Sequence, residues 1–303
     1  MRCRTGVRQG GITLGAKDIT EKTLEAYNDV FSDIVNGLLF HGKQLVQEDM
    51  LTDAQPVSMY KADGGIHEQE RDVSKYWVKT EGGRINVRIA LFGLENQTDY
   101  DSDMPLRVIG YDGAAYRAEL SLEERYPVLT LILYFGDKPW GKNRSLYDVV
   151  SVPEELQPFI NDYRINVFEI ARLPKESIAC FHSDFKVVVD YFVGKRTDPD
   201  YRPKDPEKFK HVDELLKLMS VLTHDSRFED VLKGEGGKPK DMCEVLDRVE
   251  ARGIEKGIDK NRLENIENVM DAFGVNAQQA MDALKIPENE QPKYRVRLPK
   301  NRR

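Results

Sequence analysis

Cysteine is nearly missing. Cys3, Cys180 and Cys243 are the three in 303 residues, far apart and without Cys-x-x-Cys spacing. That excludes a disulfide framework and a thiolate zinc site, and it suits a reducing cytoplasm. Long apolar runs are missing too: the longest, about 128–135, is far short of the roughly 20 residues a membrane helix needs. The basic N-terminus (Arg2, Arg4, Arg8) is not followed by the apolar stretch of a signal peptide. No glycine-rich phosphate loop follows a strand-like segment, so neither nucleotide hydrolysis nor a nucleotide cofactor finds support. The five histidines (His41, His67, His182, His211 and His224) include no pair at metal-ligand spacing. Positive charge is not in excess either, since the formal net charge is −7. Net charge governs non-specific attraction, so this value argues against broad polyanion binding and leaves a local basic groove open.

What is present suffices for a folded core: 40% hydrophobic and 32% charged residues. Residues 1–17, rich in glycine and arginine without periodicity, read as a disordered arm or as a start codon assigned too early. From Asp18 to Gly37 the spacing predicts a helix, with Leu24, Tyr27, Phe31, Ile34 and Val35 on one face. Residues 40–67 read as mixed and turn-rich. Segments 70–79 and 84–97 flank Glu81-Gly82-Gly83, a hairpin signal whose second arm alternates from Ile85 to Leu91. A helix is expected over 104–122, with Asp103 as N-cap and Pro105 in its first turn. The continuous apolar run 127–135 predicts a strand covered on both faces. A short strand at 164–171 and a helix through Phe185, Val188, Val189 and Phe192 complete an α/β plan, a mixed sheet flanked by helices, over residues 18–197. Asp198 to Pro206 carries three prolines and reads as a linker. Beyond it, 207–290 reads as a helical C-terminal region and 291–303 as a basic, disordered tail.

The second hairpin arm carries the residues with chemistry. Its odd-numbered face continues from Leu91 as Gly93, Glu95 and Gln97, so Glu95 and Gln97 share a side that otherwise faces the core. A carboxylate there is costly unless paired or bound to a cation. The alternative is that the strand ends by about Leu94 and both residues are solvated loop. Counting outward from Gly82-Gly83 sets Asp72 opposite Gly93, one diagonal step from Glu95 and roughly 7–8 Å away at the backbone. A single bulge, for which Gly93 is suited, would bring Asp72 and Glu95 face to face. Two such carboxylates fit a hard cation, Mg²⁺ or Mn²⁺. Gln97 is neutral and can position water or phosphate only by hydrogen bonding. The competing reading of Asp72 is an ion pair with Arg71 or Arg88.

Glu70-Arg71-Asp72, the strand ending Glu95-Asn96-Gln97-Thr98, and Met104-Pro105-Leu106-Arg107 with Tyr111 after it resemble the recombination-promoting nuclease/transposase family. That family belongs to the PD-(D/E)XK superfamily. The resemblance runs from about Tyr27 to Thr197, and Arg252 to Gly257 in the helical region is similar as well. It implies a restriction-endonuclease-like core and Mg²⁺- or Mn²⁺-dependent cleavage of DNA, connected with recombination or mobile elements. Under it Asp72 and Glu95 hold the metal and Gln97 stands where many relatives have lysine. Arg107 is then a candidate cation near the phosphate, against a surface ion pair with an aspartate such as Asp103. Asp29 and Asp33 are candidates for the acid that a first helix often adds, against solvated helix positions.

The competing function is a non-enzymatic DNA-binding or assembly protein of a mobile element with a degenerate site. For a transposase in the strict sense the sequence offers no obvious third carboxylate arranged for strand transfer. Phe273-Gly274-Val275-Asn276-Ala277 resembles a helix–turn–helix corner, but its second helix has little positive charge and reads as a packing element. The basic tail (Arg295, Arg297, Lys300, Arg302, Arg303) is open to phosphate contacts or to simple solubilisation. A homodimer is consistent with cutting two strands, though no residue demonstrates it.

Overall fold

The computed structural model describes residues 23–54, 57–62, 65–81, 85–121, 125–203, 208–234 and 237–298, without the side chains of 57–70 and 80–86. The N-terminal arm, the start expected near Asp18, the Gly82-Gly83 turn and the last five residues lie outside the described residues. The chain divides into two compact units: residues up to Pro203 with Asp213–Leu218, and Lys204–Val212 with Met219–Arg303.

The first unit is α/β, with a five-stranded mixed sheet in the order β1-β4-β5-β6-β7. Its strands are β1 (Leu51–Asp53), β4 (Val73–Glu81), β5 (Ile85–Gln97), β6 (Val128–Tyr134) and β7 (Asn166–Glu169). β1, β4 and β5 pair antiparallel, while β5, β6 and β7 run parallel. A separate antiparallel hairpin, β2 (Val57–Ala62) and β3 (Gly65–Glu70), forms within the stretch whose sequence reads only as turn-rich. A strand of three residues and a short hairpin are too brief for period-two alternation to register there.

Each face of the sheet is covered. On one, α2 (Met104–Ala118) sets Met104 and Val108 against Ile132 and Tyr134 of β6, with Trp140 and Ile165. On the other, α1 (Asn28–Leu39) and α4 (Phe185–Thr197) meet through Phe181, whose ring occupies the space a Cβ on Gly37 would need. Phe135, just past β6, packs against Phe185 and Phe192. Burial on both faces explains the unbroken apolar run of β6. A short α3 (Leu146–Val149), capped by Ser145, leads toward β7.

The first-helix acids are explained by packing. Asp33 is buried, and its carboxylate accepts the backbone N–H of His182 (2.9 Å) and of Ser183 (2.8 Å) and the Ser183 hydroxyl (2.7 Å). It therefore holds the chain that enters α4 and is not a solvated helix position. Asp29 stands in the first turn of α1, where negative charge complements the helix dipole.

In the second unit, α6 (Arg227–Leu232) buries Phe228 and Val231, and the long α7 (Met242–Phe273) buries Met242, Val245, Leu246 and Val249. α5 (Val212–Thr223) bridges the division of the chain. Gly274, at φ +63°, ends α7, and Asn276 caps α8 (Ala277–Ala283) through a reciprocal bond with Gln279. The corner is a packing element, since Ile266, Ala280, Met281, Ile286, Tyr294 and Leu298 form one core. The basic tail thus begins later than the sequence suggests. Tyr294 is fully buried in α9 (Gln291–Arg295), with its hydroxyl donating to Asp259 at 2.8 Å. Lys300, Arg302 and Arg303 lie outside the described residues.

Asp33→Ala removes the acceptor of three backbone and hydroxyl donors and is expected to cost about 2 kcal/mol in urea unfolding, leaving metal binding unchanged. An Asp33→Ala protein with wild-type stability would show that water replaces the carboxylate.

Candidate active site

The register of β4 against β5 decides where Asp72 lies. Glu81 pairs with Ile85, one residue beyond the partner that symmetric counting about Gly82-Gly83 assigns it. Farther out, Val78 pairs with Arg88 but Trp77 with Ala90, which leaves Ile89 as a bulge. The two offsets add, so that Val73 meets Leu94 and the next residue, Asp72, arrives beside Glu95 and Asn96. Its Oδ2 accepts the Asn96 backbone N–H at 2.7 Å. The bulge is real but sits at Ile89; Gly93 has another task. A Cβ there would stand 2.5 Å from Arg71 Cδ, so glycine leaves room for the Arg71 side chain to lie across β5.

β5 continues through Gln97, so the reading of these residues as loop after Leu94 is not what forms. Glu95 is 3% exposed. Its Oε1 accepts Arg107 Nη2 at 2.5 Å and Gln97 Nε2 at 3.2 Å, whereas Oε2 is buried without a partner. Arg107 comes from the first turn of α2, pairs with Asp101 rather than Asp103 (2.9 Å), and donates to the Tyr111 hydroxyl at 3.0 Å. Asp103 caps α2 without a side-chain bond; its own N–H is received by Asp101. Arg71 does not pair with Asp72. It reaches Asp112 at 2.5 Å, and Asp112 also accepts the hydroxyls of Thr130 (2.7 Å) and Tyr163. Arg88 lies over the Tyr76 ring, 4.1 Å from its centre.

One further acid belongs here that the periodicity of the first helix conceals. Glu25, in the 3₁₀ turn Leu24–Ala26 before α1, is 1% exposed. Its Oε1 accepts Asn96 Nδ2 at 3.0 Å and its Oε2 has no partner. Asn96 follows Glu95 on one strand, so Glu25 and Glu95 approach from opposite faces with Asp72 at the strand end between them. The signal was an acid in a helical apolar stripe, between Leu24 and Tyr27, a place where burial is costly.

Electrostatics support this grouping. Burial, and secondarily the Asp72 charge, push the Glu95 carboxyl up to about 7, while Arg107 and Arg71 draw it back. Burial likewise raises Glu25 to about 7, with the Asn96 bond opposing and Asp72 adding to the rise. Asp72 thus acts on both Glu25 and Glu95, each of which carries an unsatisfied buried oxygen, and carboxylates of this kind suit a hard divalent cation. Among the described residues no three Asp, Glu, His or Cys side chains stand close enough to form a ready-made metal cage. Asp72 and Glu95 would be the holding pair, with Glu25 nearby.

A carboxyl whose folded pKa exceeds its unfolded value binds protons more tightly in the native state. Stability from Glu25 and Glu95 is therefore present below about 4.5 and lost as pH rises through about 7. The loss is at most roughly 3 kcal/mol per group. Glu95→Gln should flatten the fall in melting temperature between pH 5 and 8 relative to wild type, and Mg²⁺ or Mn²⁺ should raise the wild-type value more at pH 8 than at pH 5. Identical pH profiles for the two proteins would show that Glu95 is ionised without strain.

Among the described residues no helix is long and apolar enough to cross a membrane. Comparison of the chain with protein-family models, with curated proteins and with solved structures gives no match, so the chemistry of the site is read from its own residues.

Proposed function

We propose that the chain is a metal-dependent DNA endonuclease with a restriction-endonuclease-like core, acting through Asp72 and Glu95. The observation that carries this reading is the meeting of Asp72 with a buried, half-satisfied Glu95 at the end of β5. Burying a carboxyl with an open oxygen is unfavourable for a structural residue and useful for a ligand. The order helix, antiparallel β1-β4-β5, helix α2, parallel β6 is an α/β arrangement compatible with the core that the resemblance implies.

A bound Mg²⁺ or Mn²⁺ would supply charge to stabilise the transition state and would acidify a water. Asp72 and Glu95 would hold that ion. Gln97, tied to Glu95 by its amide, orients water or phosphate but cannot take a proton. Arg107 is 39% exposed in its side chain, so it can swing from Glu95 to an incoming phosphate. In the reaction a water oxygen bonds to phosphorus as the bond to the leaving sugar oxygen breaks. One water proton ends on that oxygen and the other on the new phosphate. Cutting both strands calls for two such sites, and a homodimer would provide them. The resemblance ties the activity to recombination or mobile elements.

A second reading, a DNA-binding or assembly protein with a degenerate site, is favoured by one observation. Arg107 and Gln97 already satisfy Glu95 Oε1 without any ion. Supercoiled plasmid incubated with Mg²⁺, Mn²⁺ or EDTA separates the two. The nuclease reading expects metal-dependent nicking, reduced by at least about 100-fold in Asp72→Ala and Glu95→Ala. Well-folded wild-type protein that neither cuts nor binds Mn²⁺, yet retains DNA, would establish the second.

A further inference from the structure

Gln97 is neutral, so any fixed positive charge at the site comes from another residue. Two arginines approach Glu95. Arg107 is half-exposed and already divided among Asp101, Glu95 and Tyr111. Arg71 is 4% exposed and rigidly held. Its stem crosses β5 at Gly93, where an added Cβ would lie 2.9 Å from Arg71 Nε. Gly93 precedes Glu95 by two residues on a strand, which puts both on one face. The Tyr111 ring walls the other side, 5.6 Å from the guanidinium carbon. Asp112, fully engaged by Thr130 and Tyr163 as well, fixes one terminal nitrogen.

What remains is an open donor. Arg71 Nε is buried without a hydrogen-bond partner, and Glu95 Oε2 is a buried acceptor in the same condition. Native structures leave few such atoms unmatched, and water, an ion or a ligand completes them. A donor of fixed positive charge held at Gly93, on the strand face that carries Glu95, suits a phosphate oxygen. The surrounding bonds pre-orient the guanidinium, so no reorganisation is needed when charge grows on phosphorus.

We propose that Arg71 is a catalytic residue of this site, its guanidinium contacting the scissile phosphate from across Gly93 and replacing the charge that Gln97 lacks. The inference rests on the nuclease reading above. Gly93 is then part of the machinery, since only glycine lets the arginine through.

The test pairs plasmid cleavage with Mn²⁺ binding followed by electron paramagnetic resonance, both on the full chain. Arg71→Met is combined with Asp112→Asn so that no buried charge is left alone. This double variant should lose about 100-fold in cleavage rate while binding Mn²⁺ as wild type does. Adding Gln97→Lys should recover at least about 10-fold, because a charge re-enters from the same face. Gly93→Ala displaces the guanidinium without removing any charge and decides the matter if the double variant fails to fold; it too should lose cleavage and keep Mn²⁺. Cleavage within about threefold of wild type in either variant would overturn the proposal. So would joint loss of cleavage and Mn²⁺ binding with no recovery from Gln97→Lys, which would make Arg71 a support for the fold. Wild-type protein that binds Mn²⁺ and cuts nothing would remove the nuclease reading, and this proposal with it.

Discussion

The pairing of β4 with β5 governs the rest of the molecule's chemistry. Had the two arms paired symmetrically and without interruption, Asp72 would face Gly93 and stand one diagonal step from Glu95. The offset already present at Glu81–Ile85 and the Ile89 bulge each shift the register by one, and together they bring Asp72 to the end of β5. Because side chains alternate along a strand, a one-residue slip would have reversed every face beyond it. Two slips restore the alternation and change only which residues are neighbours.

That register is maintained by burial on both faces of the sheet. Leu94 faces the α1 and α4 side, while Ile132 and Tyr134 meet α2. Charge is admitted to this interior only under strict accounting. Arg71 is matched by Asp112, and Lys75 by Asp53. Breaking such a pair is far more damaging than never having built it. Glu25 and Glu95 each keep one oxygen buried and unbonded, and burial raises each carboxyl to about 7. Buried open atoms on Arg71, Asn96, Glu25 and Glu95 stand near the end of one strand, which is what the proposed site rests on.

Arg107 links that strand end to the surface. It spans Asp101, Glu95 and Tyr111 from the first turn of α2, so the carboxylate proposed to receive a cation is meanwhile neutralised by an arginine. Loading the site would require this contact to loosen. A half-exposed guanidinium can do so at small cost, because water replaces what it leaves. In the small core of the second unit the buried Tyr294 hydroxyl donates to Asp259.

Local pattern by itself determined the long elements: the stripe of α1, the apolar run of β6, the proline-started α2 and the capped corner after α7. These obey periods of a few residues, and a single chain displays them openly. It also singled out Asp72, Glu95 and Gln97, because a carboxylate on a core-facing strand position is conspicuous along the chain, whereas Arg107 entered only through the resemblance. Only the tertiary structure decided that Glu25 rather than Asp29 or Asp33 reaches this strand end, and that Arg71 crosses at Gly93 to pair with Asp112. These partners are 71 and 41 residues apart in the chain. The physical reason is that a bulge, a close approach and a buried ion pair depend on which surfaces meet across the sheet, and no periodicity within one segment encodes the identity of its distant neighbour.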